Sequence, residues 1–282
     1  MKRVGLVMHG ERAEAVVIGR ELADALVARG IEVHAAPSDA ARIAHSDVVA
    51  AETFPEGLDL VFVLGGDGTL LRAAQVVADH GIPLLGVNLG RLGFLTEVER
   101  GEVQTGLLRI LDDGFTIEER SVLHGEIREA GSTTTVWALN DVIIEKVDIG
   151  RAIRLAVSIG GEPFVSWYTD GLIVSTATGS TAYSFSAGGP VVSPRLDLML
   201  VTPVAPHGLF DRTIVVPPDE EVLVRLLPEQ EKGALSADGR PGLPLSSGAE
   251  VRVRIGGRIK LAKVEPAPFW RLVREKFGLP PA

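Results

Sequence analysis

The sequence predicts an α/β domain with a mostly parallel sheet, followed by an all-β domain of sandwich type. In the first 118 residues, short apolar runs alternate with helical patterns, which is typical of βαβ units. After Phe115 the pattern changes to β-rich runs separated by turn signals. A chain of 282 residues is long enough for two domains. We predict an α/β domain over 1–118, a β-sandwich domain over 119–264, and a C-terminal segment, 265–282, that returns to the first domain.

The elements of the first domain follow from apolar spacing. Continuous or alternating apolar runs predict strands at 4–8, 31–35, 60–64 and 84–87. Apolar residues at helical spacing predict helices at 13–28, 69–80 and 98–111. The run 60–64 is apolar at every position, which is typical of a strand covered on both faces. Strands and helices alternating at these lengths indicate a Rossmann-like arrangement.

The second domain is predicted from a series of β-rich runs without long amphipathic helices. The strands are expected at 123–128, 133–139, 142–145, 154–159, 164–168, 172–175, 213–216, 222–227 and 251–261. Dipeptides such as Gly160-Gly161, Pro217-Pro218 and Asp238-Gly239 mark turns between them. The tail at 268–277 resumes a helical pattern and is expected to pack on the first domain.

Composition excludes several classes of function. The chain has no cysteine, which excludes disulfides, thiolate zinc sites and a cysteine nucleophile. Its six histidines show no metal-ligand spacing. The formal net charge is −9 and no basic stripe with interleaved aromatics occurs, so we expect no nucleic-acid partner. No stretch is apolar enough for a signal peptide or a membrane span, so we expect a cytoplasmic protein without a membrane partner.

Glycine is concentrated in two separate windows. Of the 32 glycines, seven lie within residues 65–93 and six within residues 160–189. Glycine is favoured where the backbone turns sharply or must approach another group closely. The two windows therefore indicate one site built from two places, which we expect to lie between the two domains.

The first window carries the sharpest local signal, Gly65-Gly66-Asp67-Gly68-Thr69, between a buried strand and a helix. Such a loop presents backbone N–H groups and a helix N-terminus to phosphate oxygens. The Asp67 carboxylate could accept a hydroxyl proton or hold a divalent cation beside donor phosphates. The alternative interpretation is a plain glycine turn with a capping aspartate.

The second window is a run of small hydroxyl residues and glycines from 170 to 190. Small residues allow a ligand to lie close to the backbone, and hydroxyls bind ribose or phosphate oxygens. The two tyrosines of the chain, Tyr168 and Tyr183, flank this stretch. The alternative is a serine-rich surface loop. A third and weaker signal is Asn140-Asp141, which precedes an apolar run.

Taken together, these segments resemble the NAD kinase family. The matching segments, in the family's order and spacing, are GGDGTLLRAA at 65–74, NLGRLGFL at 88–95, Asn140-Asp141, and DGLIVSTATGSTAYSFSAGGP at 170–190. GGDG alone is shared with lipid kinases of the diacylglycerol type and with phosphofructokinases. The combination with the 170–190 segment is much more specific.

The resemblance implies ATP-dependent phosphorylation of the 2′-hydroxyl of the adenosine ribose of NAD, giving NADP. Asp67 matches the family's proton acceptor, and the phosphate loop corresponds to Gly65, Gly66, Gly68 and Thr69. The positions that match contacts to NAD are Asp67, Gly68, Arg72, Asn140, Asp141, Arg151, Tyr168, Asp170, Thr181, Ala182, Tyr183, Ser184, Ser186 and Arg240. The family also implies a divalent cation such as Mg²⁺, and dimers or tetramers whose sites are completed across subunits.

Two other functions stay open at this point. A lipid kinase would share GGDGT but needs an apolar groove or a membrane-surface contact, and the chain offers no basic amphipathic helix. A non-enzymatic dinucleotide sensor would keep the same pocket. The role of Asp67 could be mainly to hold a metal ion. The sequence also leaves open whether the donor is ATP, another triphosphate or polyphosphate, and whether NADH is accepted.

Overall fold

The chain folds into two compact units, each built around its own core. The computed structural model describes residues 1–90, 93–99, 103–129, 131–227, 232–264 and 268–280. The first unit comprises Met1–Glu119 with Ile259–Ala282, and the second comprises Arg120–Arg258. The start of the predicted C-terminal segment, at 265–267, lies outside the described residues, as do Arg91 and Leu92 of the NLGRLGFL motif.

The first unit begins with alternating strands and helices. They are β1 (Arg3–Met8), α1 (Ala13–Val27), β2 (Glu32–Ala35), α2 (Pro37–Ile43), β3 (Val48–Ala50), β4 (Leu60–Gly65), α3 (Asp67–Val77), β5 (Leu84–Asn88), β6 (Val98–Glu99) and α4 (Val103–Asp112). The predicted 4–8, 13–28, 60–64 and 84–87 elements are present within one or two residues. Helix α2 and strand β3 were not predicted from the sequence.

These strands form a parallel sheet in the order β5-β4-β1-β2-β3, with β6 added beside β5. All six residues of β4 are buried, as expected for a strand covered on both faces. The register pairs Met8 with Leu64 and Gly65 with Asn88. The carboxyl ends of β1, β4 and β5 therefore meet at one edge of the sheet, where open α/β sheets bind ligands.

The predicted helix over 98–111 begins too early. Val98 and Glu99 instead pair in parallel with Val87 and Asn88, and the helix begins at Val103. The helix was predicted to begin at Val98 because this apolar residue fits the helical spacing. Its buried side chain fits a short strand beside β5 equally well.

The second unit is built almost entirely of strands. They are β7 (Thr116–Glu129), β8 (Ser132–Ala138), β9 (Asp141–Lys146), β10 (Ile153–Ile159), β11 (Glu162–Thr169), β12 (Gly171–Thr176), β13 (Met199–Val204), β14 (Ile214–Val216), β15 (Val222–Leu226), β16 (Gly233–Ala237), β17 (Leu243–Leu245) and β18 (Glu250–Lys263). Strands β7 and β18 each extend into the first unit. Between β12 and β13 lie a 3₁₀ turn, Thr178–Thr181, and the short helix α5, Tyr183–Ser186.

Strands of the second unit pair in two antiparallel groups. One has the order β14-β13-β12-β9-β16-β17, and the other includes β11-β10-β15-β18. Residues from both groups, such as Val157 and Val224 from one and Val174 and Val201 from the other, belong to a single apolar core. A shared core between two antiparallel groups favours the predicted sandwich arrangement. Strands β13, β16 and β17 were not predicted from the sequence.

The C-terminal helix α6 (Phe269–Lys276) groups with the first unit. Its residue Phe269 and the following Phe277 lie against the ring of Phe94, with ring centroids 6.1 and 6.3 Å apart. The Lys276 ammonium lies 4.4 Å from the centroid of the same ring, a cation–π contact. Within the described ranges, no helix has both the length and the apolar character needed to cross a membrane.

Candidate functional site

The glycine loop of the first unit joins the end of β4 directly to the start of α3. Gly65 is the last residue of the strand, and its carbonyl accepts a hydrogen bond from the N–H of Leu89 at 2.9 Å. Gly66 is the N-cap residue, and the N–H groups of Thr69 and Leu70 donate to its carbonyl at 3.0 and 3.1 Å. The loop is thus fixed at the carboxyl edge of the sheet, next to the end of β5.

The Asp67 carboxylate is held by a second loop, Gly93–Leu95. It accepts the N–H of Phe94 at 2.9 Å and the N–H of Leu95 at 3.1 Å. A Cβ at Gly93 would overlap Asp67 Oδ1, so glycine is needed for this close approach. Because its partners lie 27 and 28 residues away, the carboxylate links two loops rather than capping its own helix.

An open cavity of about 460 Å³ lies beside this loop, and it is lined by His9, Gly10, Glu11, Arg12, Gly66, Gly68, Thr69 and Arg72. Arg12 donates to the carbonyl of Leu89 at 2.5 Å, and Arg72 donates to the carbonyl of Met8. The two guanidinium groups are therefore anchored at the sheet edge, next to the N-terminus of α3. Two cations and a helix N-terminus around one cavity favour an anionic ligand.

In the second unit, Asn140 and Asp141 stand at the start of β9, where Asp141 pairs with Ser175 of β12. The carboxylate of Asp238 accepts the N–H groups of both residues and of Leu139. Asp141 is buried, with 4% of its surface exposed. Burial and the neighbouring Asp238 carboxylate raise the pKa of Asp141 to about 7.

Asp238 itself is a half-buried residue whose carboxyl group has compensating partners. Burial raises its pKa, whereas the three backbone N–H donors and the Arg240 guanidinium lower it. Arg240 follows in the same turn and donates to the carbonyls of Ala237 and Trp137. The pair of carboxyl groups is therefore placed beside an anchored cation.

A second charged group lies next to the small-residue segment. Lys146 donates to the Asp170 carboxylate at 2.6 Å, at the point where β9 and β12 run side by side. Burial raises the pKa of Tyr183, and the carboxylates of Glu145, Asp170 and Asp141 raise it further. The Tyr183 hydroxyl thus faces a negatively charged surface and stays a proton donor at neutral pH.

The hydroxyl residues of the 170–190 segment are not equally accessible. Ser184 is fully buried, and its Oγ lies 3.0 Å from Thr202 Oγ1, so neither its side chain nor its main chain is exposed. Thr181 and Ala182 are half-buried, and Tyr183 and Ser186 are exposed. The alternative interpretation as a serine-rich surface loop therefore fits only part of the segment.

Comparisons with known proteins identify the family. The ATP-NAD kinase N-terminal domain matches residues 4–115, and the ATP-NAD kinase C-terminal domain matches residues 139–263. An NAD kinase from Heliobacterium modesticaldum is 41% identical over 278 residues, which is 98% of each chain. An NAD kinase from Symbiobacterium thermophilum is 41% identical over 281 residues, or 99% of each chain. The chain belongs to the NAD kinase family.

Two solved kinase structures share the fold of this chain. A yeast NADH kinase complexed with NADH matches with a TM-score of 0.89 and 25% identity, covering 99% of this chain and 88% of that one. An NAD kinase from Archaeoglobus fulgidus in complex with ATP matches with a TM-score of 0.74 and 25% identity, covering 98% of both chains. The resemblance found from four sequence segments thus extends over the whole chain.

Most of the site residues predicted from the resemblance to NAD kinases lie close to one another within one unit or the other. In the first unit, one loop and its cavity include Gly65, Gly66, Asp67, Gly68, Thr69 and Arg72. In the second unit, hydrogen bonds or electrostatic contacts connect Asn140, Asp141, Asp170, Tyr183 and Arg240. Arg151 is exposed between β9 and β10. The Tyr168 ring instead lies against His207, with centroids 5.3 Å apart.

Some residues of the candidate site were not predicted from the sequence. His9, Glu11 and Arg12 follow β1, and the parallel order of β1 and β4 would have placed them beside the glycine loop. Asp238 was interpreted only as part of an Asp-Gly turn. No local signal could have paired it with Asp141, 97 residues earlier in the chain.

Proposed function

We propose that this NAD kinase family member transfers the γ-phosphoryl group of ATP to the 2′-hydroxyl of the adenosine ribose of NAD, giving NADP and ADP. The observation that carries this proposal is the cavity at the sheet edge. There, Arg12, Arg72 and the start of α3 surround the glycines on either side of Asp67. Phosphoryl transfer needs neutralised phosphates, an aligned hydroxyl and a nearby proton acceptor. The arginines and the start of α3 would neutralise the phosphates, and Asp67 would accept the proton.

The donor phosphates are assigned to the cavity of the first unit. Guanidinium groups bind phosphate oxygens through charge-assisted hydrogen bonds, and the N–H groups at the start of α3 add further donors. Because Arg12 and Arg72 are anchored to main-chain carbonyls, little side-chain freedom is lost when phosphate binds. Gly66 and Gly68 leave the backbone open to a close ligand, since a Cβ at either would meet no atom within 4 Å.

Asp67 is assigned as the proton acceptor. As the 2′-oxygen forms its bond to the γ-phosphorus, the bond to the β-phosphate oxygen breaks and the hydroxyl proton passes to the carboxylate. The N–H bonds from Phe94 and Leu95 fix the orientation of the carboxylate before substrate arrives. Each carboxylate oxygen keeps acceptor capacity beyond one N–H bond, so these contacts do not block proton transfer.

The dinucleotide is assigned mainly to the second unit. The residues of that unit proposed to contact it are Asn140, Asp141, Arg151, Tyr168, Asp170, Thr181, Ala182, Tyr183, Ser186 and Arg240. Carboxylate and amide groups suit the hydroxyls of a ribose, and the exposed Tyr183 ring suits a base. Ser184, which the resemblance also selects, has no exposed surface, so its assigned part is to support the segment through its contact with Thr202.

A divalent cation such as Mg²⁺, bound together with ATP, would supply neutralisation of phosphate charge at this site. Among the residues that the structure describes, no three His, Cys, Asp or Glu side chains form a metal-binding group. Mg²⁺ at phosphoryl-transfer sites commonly uses one or two carboxylates together with substrate phosphates. Glu11, a lining residue of the cavity, would supply one, and holding the cation is the competing role for Asp67. Oligomerisation and a cytoplasmic location stay predictions of the sequence.

The test is a direct assay of the purified chain with NAD, ATP and Mg²⁺, in which NADP is measured by a coupled dehydrogenase. We expect NADP to form, and we expect no phosphorylation of diacylglycerol in vesicles. NAD binding without any NADP formation would establish the sensor interpretation instead. A panel of ATP, other triphosphates and polyphosphate, each with NAD and NADH, would then define the donor and the redox form of the substrate.

A further inference from the structure

A single side chain holds the main chain of residues 139–141 from one side. The Asp238 carboxylate accepts the N–H groups of Leu139 at 2.8 Å, of Asn140 at 2.7 Å and of Asp141 at 3.3 Å. In return, the Asp238 N–H donates to the carbonyl of Asp141 at 3.0 Å. Four hydrogen bonds therefore join one residue to a segment about 100 positions earlier in the chain.

Thr176 holds the same segment from the other side. Its Oγ1 donates to the carbonyl of Leu139 at 2.6 Å, and its N–H donates to the carbonyl of Asn140 at 2.9 Å. Every main-chain N–H and C=O of residues 139–141 is therefore hydrogen-bonded, and the side chains of Asn140 and Asp141 are presented from a fixed backbone. A Cβ at Gly179 would overlap the carbonyl of Asn140, which shows how closely this segment is packed.

The backbone of Asp238 is itself specialised. Its φ of 51° lies in the left-handed region, which few residues other than glycine, asparagine and aspartate adopt. The turn continues through Gly239, with φ of 68°, to Arg240. This conformation brings the carboxylate back toward residues 139–141 while the Arg240 side chain is anchored to the carbonyl of Ala237.

We propose that Asp238 is the positioning residue for Asn140 and Asp141, the pair assigned to the dinucleotide. The inference rests on the proposed function, because it presumes that this pair contacts NAD. A carboxylate is needed, since both of its oxygens accept N–H groups. An asparagine at this position has only one acceptor oxygen, and its NH₂ group would face the N–H of Leu139.

Asp238 also influences Asp141 through its charge. The charged or titratable groups around the pair are Asp238 and Arg240 in the turn, Tyr183 on α5, and Glu145, Lys146 and Asp170 beside Tyr183. Burial is the first cause of the raised pKa of Asp141, and the Asp238 carboxylate is the second. Removing the charge of Asp238 should therefore lower the pH at which Asp141 loses its proton.

The experiment is calorimetric binding of NAD to the full chain without a phosphoryl donor, from about pH 5.5 to 8.5. In the wild type we expect one titration midpoint near pH 7. Asp238→Asn should weaken NAD binding roughly tenfold and move the midpoint to lower pH. Thr176→Val is the matched control: it removes a hydrogen bond from the same segment without a charge, so binding weakens while the midpoint stays in place.

Two results would overturn the proposal. The first is an Asp238→Asn variant that binds NAD with wild-type affinity and midpoint while Asn140→Ala binds NAD weakly. This result would overturn the inference and leave the proposed dinucleotide site in place. Wild-type binding by Asn140→Ala would remove the proposed dinucleotide site and this inference with it. If Asp238→Asn does not fold, Asp238→Glu decides: it keeps the charge but displaces the carboxylate by one methylene, so weakened NAD binding supports the proposal and wild-type binding contradicts it.

Discussion

Asp67 and Asp141 each begin a regular element, yet their surroundings are opposite. The Asp67 carboxylate is half-buried at the start of α3 and accepts two main-chain N–H groups. Asp141 is buried at the start of β9 and faces a second carboxyl group, Asp238. Asp67 is thus oriented as a hydrogen-bond acceptor in the first unit, whereas Asp141 in the second unit has a pKa close to neutral pH. Environment, not residue type, separates the proposed catalytic role from the proposed binding role.

The largest expected effect comes from Asp67→Asn. The amide cannot take the proton from the 2′-hydroxyl, so turnover should fall by about 10²–10⁴-fold while the KM for NAD changes little. Steady-state kinetics measure both parameters. Asp79→Asn, an exposed aspartate just beyond the far end of α3, is the matched control.

Near-wild-type turnover of Asp67→Asn would remove its assigned role. A shifted dependence on magnesium concentration, with turnover restored at high magnesium, would favour the metal-holding role instead. Either outcome would weaken the contrast between the two aspartates.

Asp141→Asn tests the other half of the comparison through stability. A raised folded-state pKa stabilises the fold at low pH, and this stability is lost as the pH rises through about 7. The asparagine variant does not ionise. From about pH 5 to pH 8 it should therefore gain about 3 kcal/mol in free energy of unfolding relative to the wild type.

Urea unfolding at a series of pH values measures this difference, with the exposed Asp219→Asn as control. If the free energies of unfolding of Asp141→Asn and the wild type change with pH in the same way, the pKa of Asp141 is not raised in the folded state.

Gly93→Ala tests whether the orientation of Asp67 matters as well as its charge. The added Cβ would overlap Asp67 Oδ1 and displace the carboxylate. Since small misplacements of a catalytic group are costly, we expect the kcat to fall about 100-fold, with the KM for NAD preserved. Gly208→Ala is the control, because its Cβ would meet no atom within 4 Å. An unchanged kcat would mean that the Gly93–Leu95 loop has no part in positioning Asp67.

Arg12→Ala should give the smallest effect. It removes one cation from the cavity next to Asp67, so the KM for ATP should rise roughly tenfold while the pH dependence of NAD binding is unchanged. Arg29→Ala is the control, since Arg29 forms a surface ion pair with Asp112 that contributes little. A change confined to the KM for NAD would reassign the cavity to the dinucleotide.

The sequence predicted the fold best where patterns were long and unmixed. The βαβ units and the continuous run of β4 had clear periods. Strand β13 was missed because Pro203 lies inside it, although Pro203 still pairs with Leu172. Strand β16, Gly-Ala-Leu-Ser-Ala, lacks β-branched residues and exists because it pairs with β9.

Some features of the candidate site could also be predicted from local sequence patterns, and others could not. The glycine loop and Asp67 could be found locally, because a strand, a turn and a helix follow one another in the sequence. The contact of Asp67 with Phe94 and Leu95 depends on how two loops meet at the sheet edge. The pairing of Asp141 with Asp238 depends on the antiparallel pairing of β9 with β16, which no local pattern encodes.

The most direct test of the contrast is to measure kcat and the KM for NAD side by side in Asp67→Asn and Asp141→Asn. The two roles predict that Asp67→Asn loses kcat and keeps its KM, whereas Asp141→Asn raises the KM for NAD and keeps most of its kcat. If both variants change the same parameter, or if Asp67→Asn retains wild-type kcat, the assignment of catalysis to one aspartate and binding to the other is wrong.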